Sequence, residues 1–398
     1  MNPLSQRVIN MDESATLAMA QKGRDLKAKG IDVISLSLGE PDFKTPKHIQ
    51  EAAKAAIDSE KYFAYPPVPG YADFREAIAK KYKEENNIEC TSANIVVSTG
   101  AKQSIANVMM AMINPGDEVI VLSPYWVSYA DVIKVVDGIP VFVKGSIEDN
   151  FKAKASQIEA AITPKTKMII YSSPCNPSGE VFSRTEIGAI VEVLERHPNI
   201  YVVSDEIYEH INFTNDHVSI GSYPSMKDRV ITVNGVAKAF AMTGWRIGYI
   251  CAPLVIAKAC TKIQGQFTSG ANSIAQRAAM VAITSDQATT KAMADEYFER
   301  RQMVFDLLNQ IPGVKTVMPT GAFYFLPEVS SFFGKSTGKW QINNADDLCM
   351  YLLEDYHVSL VTGAAFGVPE CIRLSYAASR ENLKEALKRM AEALAKLK

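Results

Sequence analysis

A chain of 398 residues, 47% hydrophobic and 22% charged with a formal net charge of -2, is too long for one ordinary core and reads as a soluble globular protein of at least two domains. With no basic block, the charge balance argues against nucleic acid or an anionic membrane surface as partner. Six scattered cysteines without a CxxC pair, and a Glu206/His210 pair with no second histidine to complete a ligand pattern, argue against a zinc or disulfide framework, so no metal is expected.

Residues 1–23 mix Arg7, Glu13 and Lys22 with short apolar side chains, and no stretch there or later has the length of a signal-peptide core or a bilayer span. The cytoplasm is the expected compartment. An apolar stretch at 33–38 follows, and from residue 95 short β-branched runs alternate with helical periodicity, the pattern of an α/β unit with a mainly parallel sheet. Strands are expected at 95–98, 118–122, 139–143, 168–172, 201–204, 230–233 and 247–251. Between the first two, Ile105, Val108, Met109, Met112 and Ile113 recur as one helix face, which Asn114-Pro115-Gly116-Asp117 ends. Beyond about residue 295 the style changes to a charged helical stretch at 295–310, short strands at 322–326, 359–362 and 372–375, and a last amphipathic helix carrying Leu383, Ala386, Leu387, Met390 and Leu394 on one face. The expected division is a large domain at 46–295 and a smaller α+β domain at 296–398, joined by the N-terminal segment 1–45.

Open α/β sheets bind ligands beyond the carboxyl ends of their strands, so the residues following each strand are informative. After 95–98 comes Thr99-Gly100-Ala101-Lys102, a small-residue turn feeding a helix N-terminus that offers free N–H groups to a phosphate. An ordinary strand-to-helix turn would read the same, and neither the P-loop nor the dinucleotide glycine pattern is present. Asn176-Pro177-Ser178-Gly179 follows 168–172 and is open to reading as plain turn chemistry. Asp205 follows 201–204, where a carboxylate is costly unless it is paired, so a cationic partner is expected, a structural arginine or lysine being the plain alternative. Lys238 lies just past 230–233, and Arg246 precedes 247–251. A lysine there is a candidate Schiff-base residue, although a lysine reaching out to solvent is the commoner case. Together these groups match a cofactor with a phosphate, a ring nitrogen wanting an acid, a phenolic oxygen and an aldehyde.

The runs Gly235-Val236-Ala237-Lys238 and Gly244-Trp245-Arg246-Ile247-Gly248 resemble the lysine signature of the fold type I pyridoxal-phosphate-dependent aminotransferases. Gly39-Glu40-Pro41-Asp42-Phe43, Asn176-Pro177-Ser178-Gly179, Ser204-Asp205-Glu206-Ile207-Tyr208 and Arg373-Leu374-Ser375-Tyr376-Ala377 resemble that family's other blocks, in the same order, so the likeness spans nearly the whole chain. The stretch Ser123-Pro124-Tyr125-Trp126-Val127-Ser128-Tyr129 is similar to the bacterial aspartate aminotransferases of subgroup Ib. The resemblance implies pyridoxal 5'-phosphate as cofactor, with Lys238 joined to it and moving the substrate's Cα proton, Asp205 on the ring nitrogen, and Asn176 and Tyr208 on the phenolic oxygen. It implies Trp126 stacked on the ring, with Gly100, Ala101, Lys102 and Arg246 around the phosphate and Tyr65 reaching it from a second subunit of a homodimer. Arg373, with Gly39 and Asn176, would hold the substrate α-carboxylate. One departure is Gly235, where many relatives carry a serine that helps hold the phosphate.

No arginine occurs at 264–276, where better-known aspartate aminotransferases place a distal-carboxylate reader. The subgroup resemblance instead assigns that task to Lys102 with Ser14 and Thr16; a solvated turn lysine and a helix cap are the plain alternatives. Aspartate with 2-oxoglutarate, giving oxaloacetate and glutamate, is the expected substrate pair. A broader aromatic or prephenate aminotransferase and a lyase on the same fold are the alternatives.

Overall fold

The computed structural model describes residues 3–9, 11, 13–214 and 216–398; Met1, Asn2, Asn10, Asp12 and Asn215 lie outside the described residues. Seven strands form the main sheet: β1 (Ile95–Ser98), β2 (Glu118–Ser123), β3 (Ile139–Lys144), β4 (Thr166–Ser172), β5 (Tyr201–Asp205), β6 (Val230–Gly235) and β7 (Gly248–Cys251). Their order is β1-β7-β6-β5-β4-β2-β3. Every pair from β3 across to β6 is parallel, and β7 runs antiparallel to both β6 and β1. Helices cover both faces, which is why central residues such as Met168, Ile170, Val202 and Val203 are uniformly apolar and fully buried rather than alternating.

Each expected strand is present, and several continue past their last apolar residue. β2 takes in Ser123, β3 Lys144, β5 Asp205, and β6 Asn234 and Gly235. The ladder pairs main-chain groups and is indifferent to side-chain polarity, so Asp205 sits in register with Ser172 and Val233 although it ends the apolar run. The helix Ala101–Met112 starts directly behind β1 and buries Ile105, Val108 and Met109; Ile113, expected on its face, is an extended cap residue that is nonetheless buried. Before β1, helices Lys47–Asp58 and Ala72–Asn86 pack with Ser273–Thr284 around Ile49, Phe74, Ile78 and Ala278.

The second core gathers both chain ends. Helix Ala288–Asn309 begins well before the expected 295, and Arg380–Leu394 buries the predicted apolar face. The expected strand 359–362 divides: Val358–Ser359 pairs in parallel with Ile34–Ser35, while Val361–Thr362 joins an antiparallel sheet with Ile372–Ser375 and Tyr324–Phe325. The expected strand 322–326 is laddered only at Tyr324–Phe325. Val33, Ile34 and Leu36 share a cluster with Leu383, Leu387 and Leu394, so the N-terminal segment packs with the C-terminal third. Among the described residues no helix is long and apolar enough to cross a membrane.

Gly235 is explained by strand spacing. A Cβ there would lie 2.8 Å from the Ile247 carbonyl oxygen and 2.9 Å from Gly248 Cα, so any side chain would meet the β7 main chain. Gly235→Val is expected to destabilise the protein by about 1–3 kcal/mol, the usual result of overpacking. A urea midpoint equal to that of the parent protein would show that β6 and β7 separate freely at this point.

Candidate active site

A cavity of about 310 Å³ opens at the carboxyl ends of the parallel strands. Of the residues singled out by sequence, Ser14, Thr16, Gly39, Ala101, Lys102 and Trp126 line it. So do Asn176, Asp205, Tyr208, Lys238, Arg246 and Arg373. Two do not. Gly100 lies beneath the Arg246 guanidinium, and Tyr65 is 91% exposed, away from this cavity.

At one end of the cavity β1 turns into helix Ala101–Met112 through Thr99-Gly100. Gly100 has φ 82 and packs so closely on Arg246 that a Cβ there would displace the guanidinium. Thr99 N–H donates to Gln103 Oε1 at 2.6 Å, which fixes the turn and leaves the helix N-terminus beside Arg246. Arg246 itself adopts a left-handed conformation, φ 57, held by an Nη1 hydrogen bond to the Thr243 carbonyl at 3.0 Å. Such a conformation is costly for a non-glycine residue and serves here to aim the guanidinium. Burial and the Arg246 charge push the Lys102 amine below its ordinary value, against the opposing pull of Asp131. Its Nζ lies 5.0 Å from the centre of the Trp126 ring.

The floor is Asp205. Its carboxylate accepts from Tyr129 Oη at 2.7 Å and from the Ile207 N–H at 3.3 Å. Burial raises it to about 6; the two hydrogen bonds restrain that rise and the neighbouring Glu206 charge adds to it. Lys238 donates to the Gly39 carbonyl at 2.6 Å. Burial, with Arg373 and Arg246 acting the same way, brings its amine down to about 8 despite Glu40 and Asp205. Tyr208 Oη meets Tyr324 Oη at 2.6 Å. Arg373 is fully buried, donating from Nη1 to Asn176 Oδ1 at 2.9 Å and from Nη2 to the Ser37 carbonyl, and its Nε has no protein partner. Thr16 Oγ1 is likewise buried without a partner.

These features fit pyridoxal phosphate. A helix N-terminus with a guanidinium suits the phosphate, a buried carboxylate with elevated proton affinity suits a protonated ring nitrogen, and an amine near 8 suits an aldehyde. Reading the sequence left Tyr129 and Tyr324 without roles. Tyr129 lies three residues after Trp126 across the turn that starts its helix, its N–H donating to the Trp126 carbonyl at 2.9 Å, and the two rings meet edge to face at 5.5 Å. Tyr324 arrives from the other end of the chain, and nothing local announces it.

The carboxylates flanking Asp205 and Tyr208 point the other way. Glu206 and His210 do not pair: Glu206 meets His217 Nε2 at 2.9 Å, and His210 meets Glu85 at 2.9 Å. Asn86 donates to Glu206 at 3.2 Å and to Glu209 at 2.7 Å, Asn234 donates to Glu209 at 2.7 Å, and the Lys81 ammonium closes the network on Glu209. Burial alone would raise the Glu209 carboxyl, but Lys81, His210 and His217 together hold it below the usual carboxylate range.

A family model described as "Aminotransferase class I and II" matches residues 31–390. The aspartate/prephenate aminotransferase of Nitrosomonas europaea is 44% identical, the match covering 98% of this chain and 99% of that one. The solved aspartate aminotransferase from Rhizobium meliloti superposes with a TM-score of 0.96 at 40% identity, covering 100% of both chains. The aspartate aminotransferase from Thermus thermophilus with maleate gives 0.93 at 39%, covering 99% of this chain and 100% of that one.

Asp205 yields a signed expectation for stability. Its carboxyl titrates at about 6 in the folded cofactor-free protein, above its ordinary value of 3.8, so the folded state holds the proton more tightly. Its contribution to stability therefore falls as pH rises from about 4 to about 6 and stays low above that. Asp205→Asn, which removes the charge and keeps an acceptor for Tyr129, should make the cofactor-free protein more stable than the parent at pH 7 by up to about 3 kcal/mol. The gap should close below pH about 4. Urea titrations of both proteins across this range check it; a constant gap would mean that Asp205 ionises normally.

Proposed function

Because this chain belongs to the class I and II aminotransferases, we propose that it transfers the amino group of L-aspartate to 2-oxoglutarate, giving oxaloacetate and L-glutamate, with pyridoxal 5'-phosphate held in the cavity of Lys238. The observation that carries the reading is the convergence of Lys238, Asp205 and Arg373 on one cavity, with the Lys238 amine brought down to about 8. When bound, the cofactor supplies an aldehyde for the amino group and a ring that takes up the electron pair released at Cα.

The chain's own groups do the rest. An amine titrating near 8 keeps an uncharged fraction at neutral pH, so Lys238 can take the substrate's Cα proton and return it. Asp205 holds the proton at the ring nitrogen, and Tyr129 keeps the carboxylate oriented toward it. Asn176 and Tyr208 serve the phenolic oxygen, and Tyr324 orients the Tyr208 hydroxyl. Ala101, Lys102 and Arg246 receive the phosphate, above Gly100, and Trp126 covers the ring. Arg373, prealigned by Asn176 and the Ser37 carbonyl, orients the α-carboxylate beside Gly39.

For the distal carboxylate we assign Lys102 with Ser14 and Thr16; the unpartnered Thr16 hydroxyl in the cavity wall supports this. Relatives named for both aspartate and prephenate favour prephenate as a second amino acceptor. Prephenate too carries a second carboxylate and asks the same of Lys102. We further propose a large domain at 46–295 and a small one formed by 1–45 with 296–398, a cytoplasmic setting consistent with six free cysteines, and a homodimer in which Tyr65 completes the partner's phosphate site. The 91% exposure of Tyr65, beside Phe63 at 65%, supports the shared site.

Two measurements test these assignments. Lys102→Ala should lower kcat/KM for aspartate and glutamate by roughly ten- to 150-fold, the loss of one charge-assisted hydrogen bond, and for alanine or phenylalanine much less. An equal drop across the panel at saturating cofactor would assign Lys102 to the phosphate alone. Mixing inactive Lys238→Ala with inactive Tyr65→Ala should restore activity, since one site of each hybrid dimer then holds both intact groups. Lys238→Ala mixed with Arg373→Ala should stay at trace level. Equal behaviour of the two mixtures would refute the shared site.

A further inference from the structure

The loop that carries the chain from Lys238 to Arg246 bends twice through left-handed backbone, at Ala241 with φ 50 and at Arg246 with φ 57. Neither residue is glycine, so each bend costs free energy that contacts must offset. The loop's own main-chain bonds are long: Ala241 N–H reaches the Lys238 carbonyl at 3.3 Å, and Trp245 N–H reaches the Met242 carbonyl at 3.2 Å. Shorter contacts come from outside the loop.

They come from residues 40–45. Thr45 Oγ1 donates to the Ala241 carbonyl at 2.6 Å and accepts from Trp245 Nε1 at 3.0 Å. A hydroxyl has one proton to give, so this one is fully oriented by the two bonds. It grips the carbonyl of one left-handed residue and the side chain directly before the other. Glu40 accepts from the Thr243 hydroxyl, and the Thr243 carbonyl in turn accepts from Arg246 Nη1 at 3.0 Å. The gripping segment is itself anchored at two places. Gln50, on helix Lys47–Asp58, donates to the Thr45 carbonyl at 2.5 Å, and Arg300, on helix Ala288–Asn309, donates to Asp42 at 2.8 Å.

We propose that Thr45 is a positioning residue for the cofactor phosphate, which it serves by holding Ala241 and Trp245 so that the left-handed turn at Arg246 aims the guanidinium. The inference rests on the assignment of Arg246 to the phosphate and adds to it a residue outside the cavity lining. Its effect belongs to the phosphate end alone. Lys238 has its own restraint, the 2.6 Å bond to the Gly39 carbonyl, and Asp205 is held by Tyr129 and the β5 ladder. Losing the Thr45 hydroxyl therefore loosens Arg246 while the groups that meet the ring stay in place.

The test titrates the full-length, cofactor-free protein with pyridoxal 5'-phosphate and with pyridoxal, the same ring without the phosphate, and reads the absorbance of the bound ring. Thr45→Val should weaken pyridoxal phosphate by roughly three- to tenfold, the scale of a lost hydrogen bond, and leave pyridoxal unchanged. Thr45→Ser keeps the hydroxyl and should bind both ligands as the parent does. Trp245→Phe removes only the indole donor and should reproduce part of the loss. Arg246→Ala should itself weaken pyridoxal phosphate, and adding Thr45→Val to it should cost nothing more. Equal losses for the two ligands, a loss that serine does not repair, or a further loss in the Arg246→Ala background would each overturn the proposal. Parent-like binding by Thr45→Val and Trp245→Phe, with Arg246→Ala impaired, would overturn it while leaving the phosphate assignment standing. Parent-like binding by Arg246→Ala would refute that assignment, and the inference with it.

Discussion

Holding a carboxylate at the end of a buried apolar strand is costly, and much of this structure answers that cost. Asp205 belongs to the β5 ladder, and burial raises it to about 6. Without its donors the rise would be larger. Tyr129 and the Ile207 N–H restrain that rise and leave a buried group with raised proton affinity. The residues on either side repeat the problem with the opposite orientation. Glu206 and Glu209 turn into a buried network of Lys81, Asn86, Asn234 and His217, and this network anchors the short segment from Asp205 to Tyr208 from behind. Asp205, Ile207 and Tyr208 thus face the cavity, and Glu206 and Glu209 the anchor.

The lysine is tuned by the same surroundings. Burial and two arginines lower it, while the Asp205 charge limits how far it falls. Both arginines line the same cavity as Lys238, so the charges gathered there set the state of its amine. Relatives near 40% identity over full length, named for aspartate, are consistent with such a site serving amino-group transfer.

How much of this was legible in the sequence depended on distance along the chain. The seven strands and the polar residues at their ends are local signals, and Lys238, Asp205, Asn176, Arg246 and Arg373 were identified from them together with family likeness. Strand ends were misjudged where Ser123, Lys144 or Asn234 continued a ladder, since hydropathy does not register main-chain pairing. The division of 358–362 between two sheets was not legible either, because both halves are equally apolar and only their partners differ. Tyr324 and the Lys81 network were missed for a related reason: each joins segments more than a hundred residues apart, and neither has a spacing rule.

The segment following Ile34–Ser35 ties three distant parts of the chain together. Leu36 accepts from Ser375 N–H at 2.9 Å, Ser37 accepts from Arg373, and Gly39 accepts from Lys238 at 2.6 Å. Extended chain advances only about 3.3 Å per residue, so four residues leave no slack between the ladder at one end and the lysine at the other. Side chains along this stretch can vary as packing permits, but its residue count cannot. An insertion or deletion of one residue would move every later carbonyl by one step and to the opposite face, exchanging the acceptor offered to the arginine for the one offered to its neighbour. The site is therefore gauged by the length of a main-chain strand as much as by the identity of the side chains it holds.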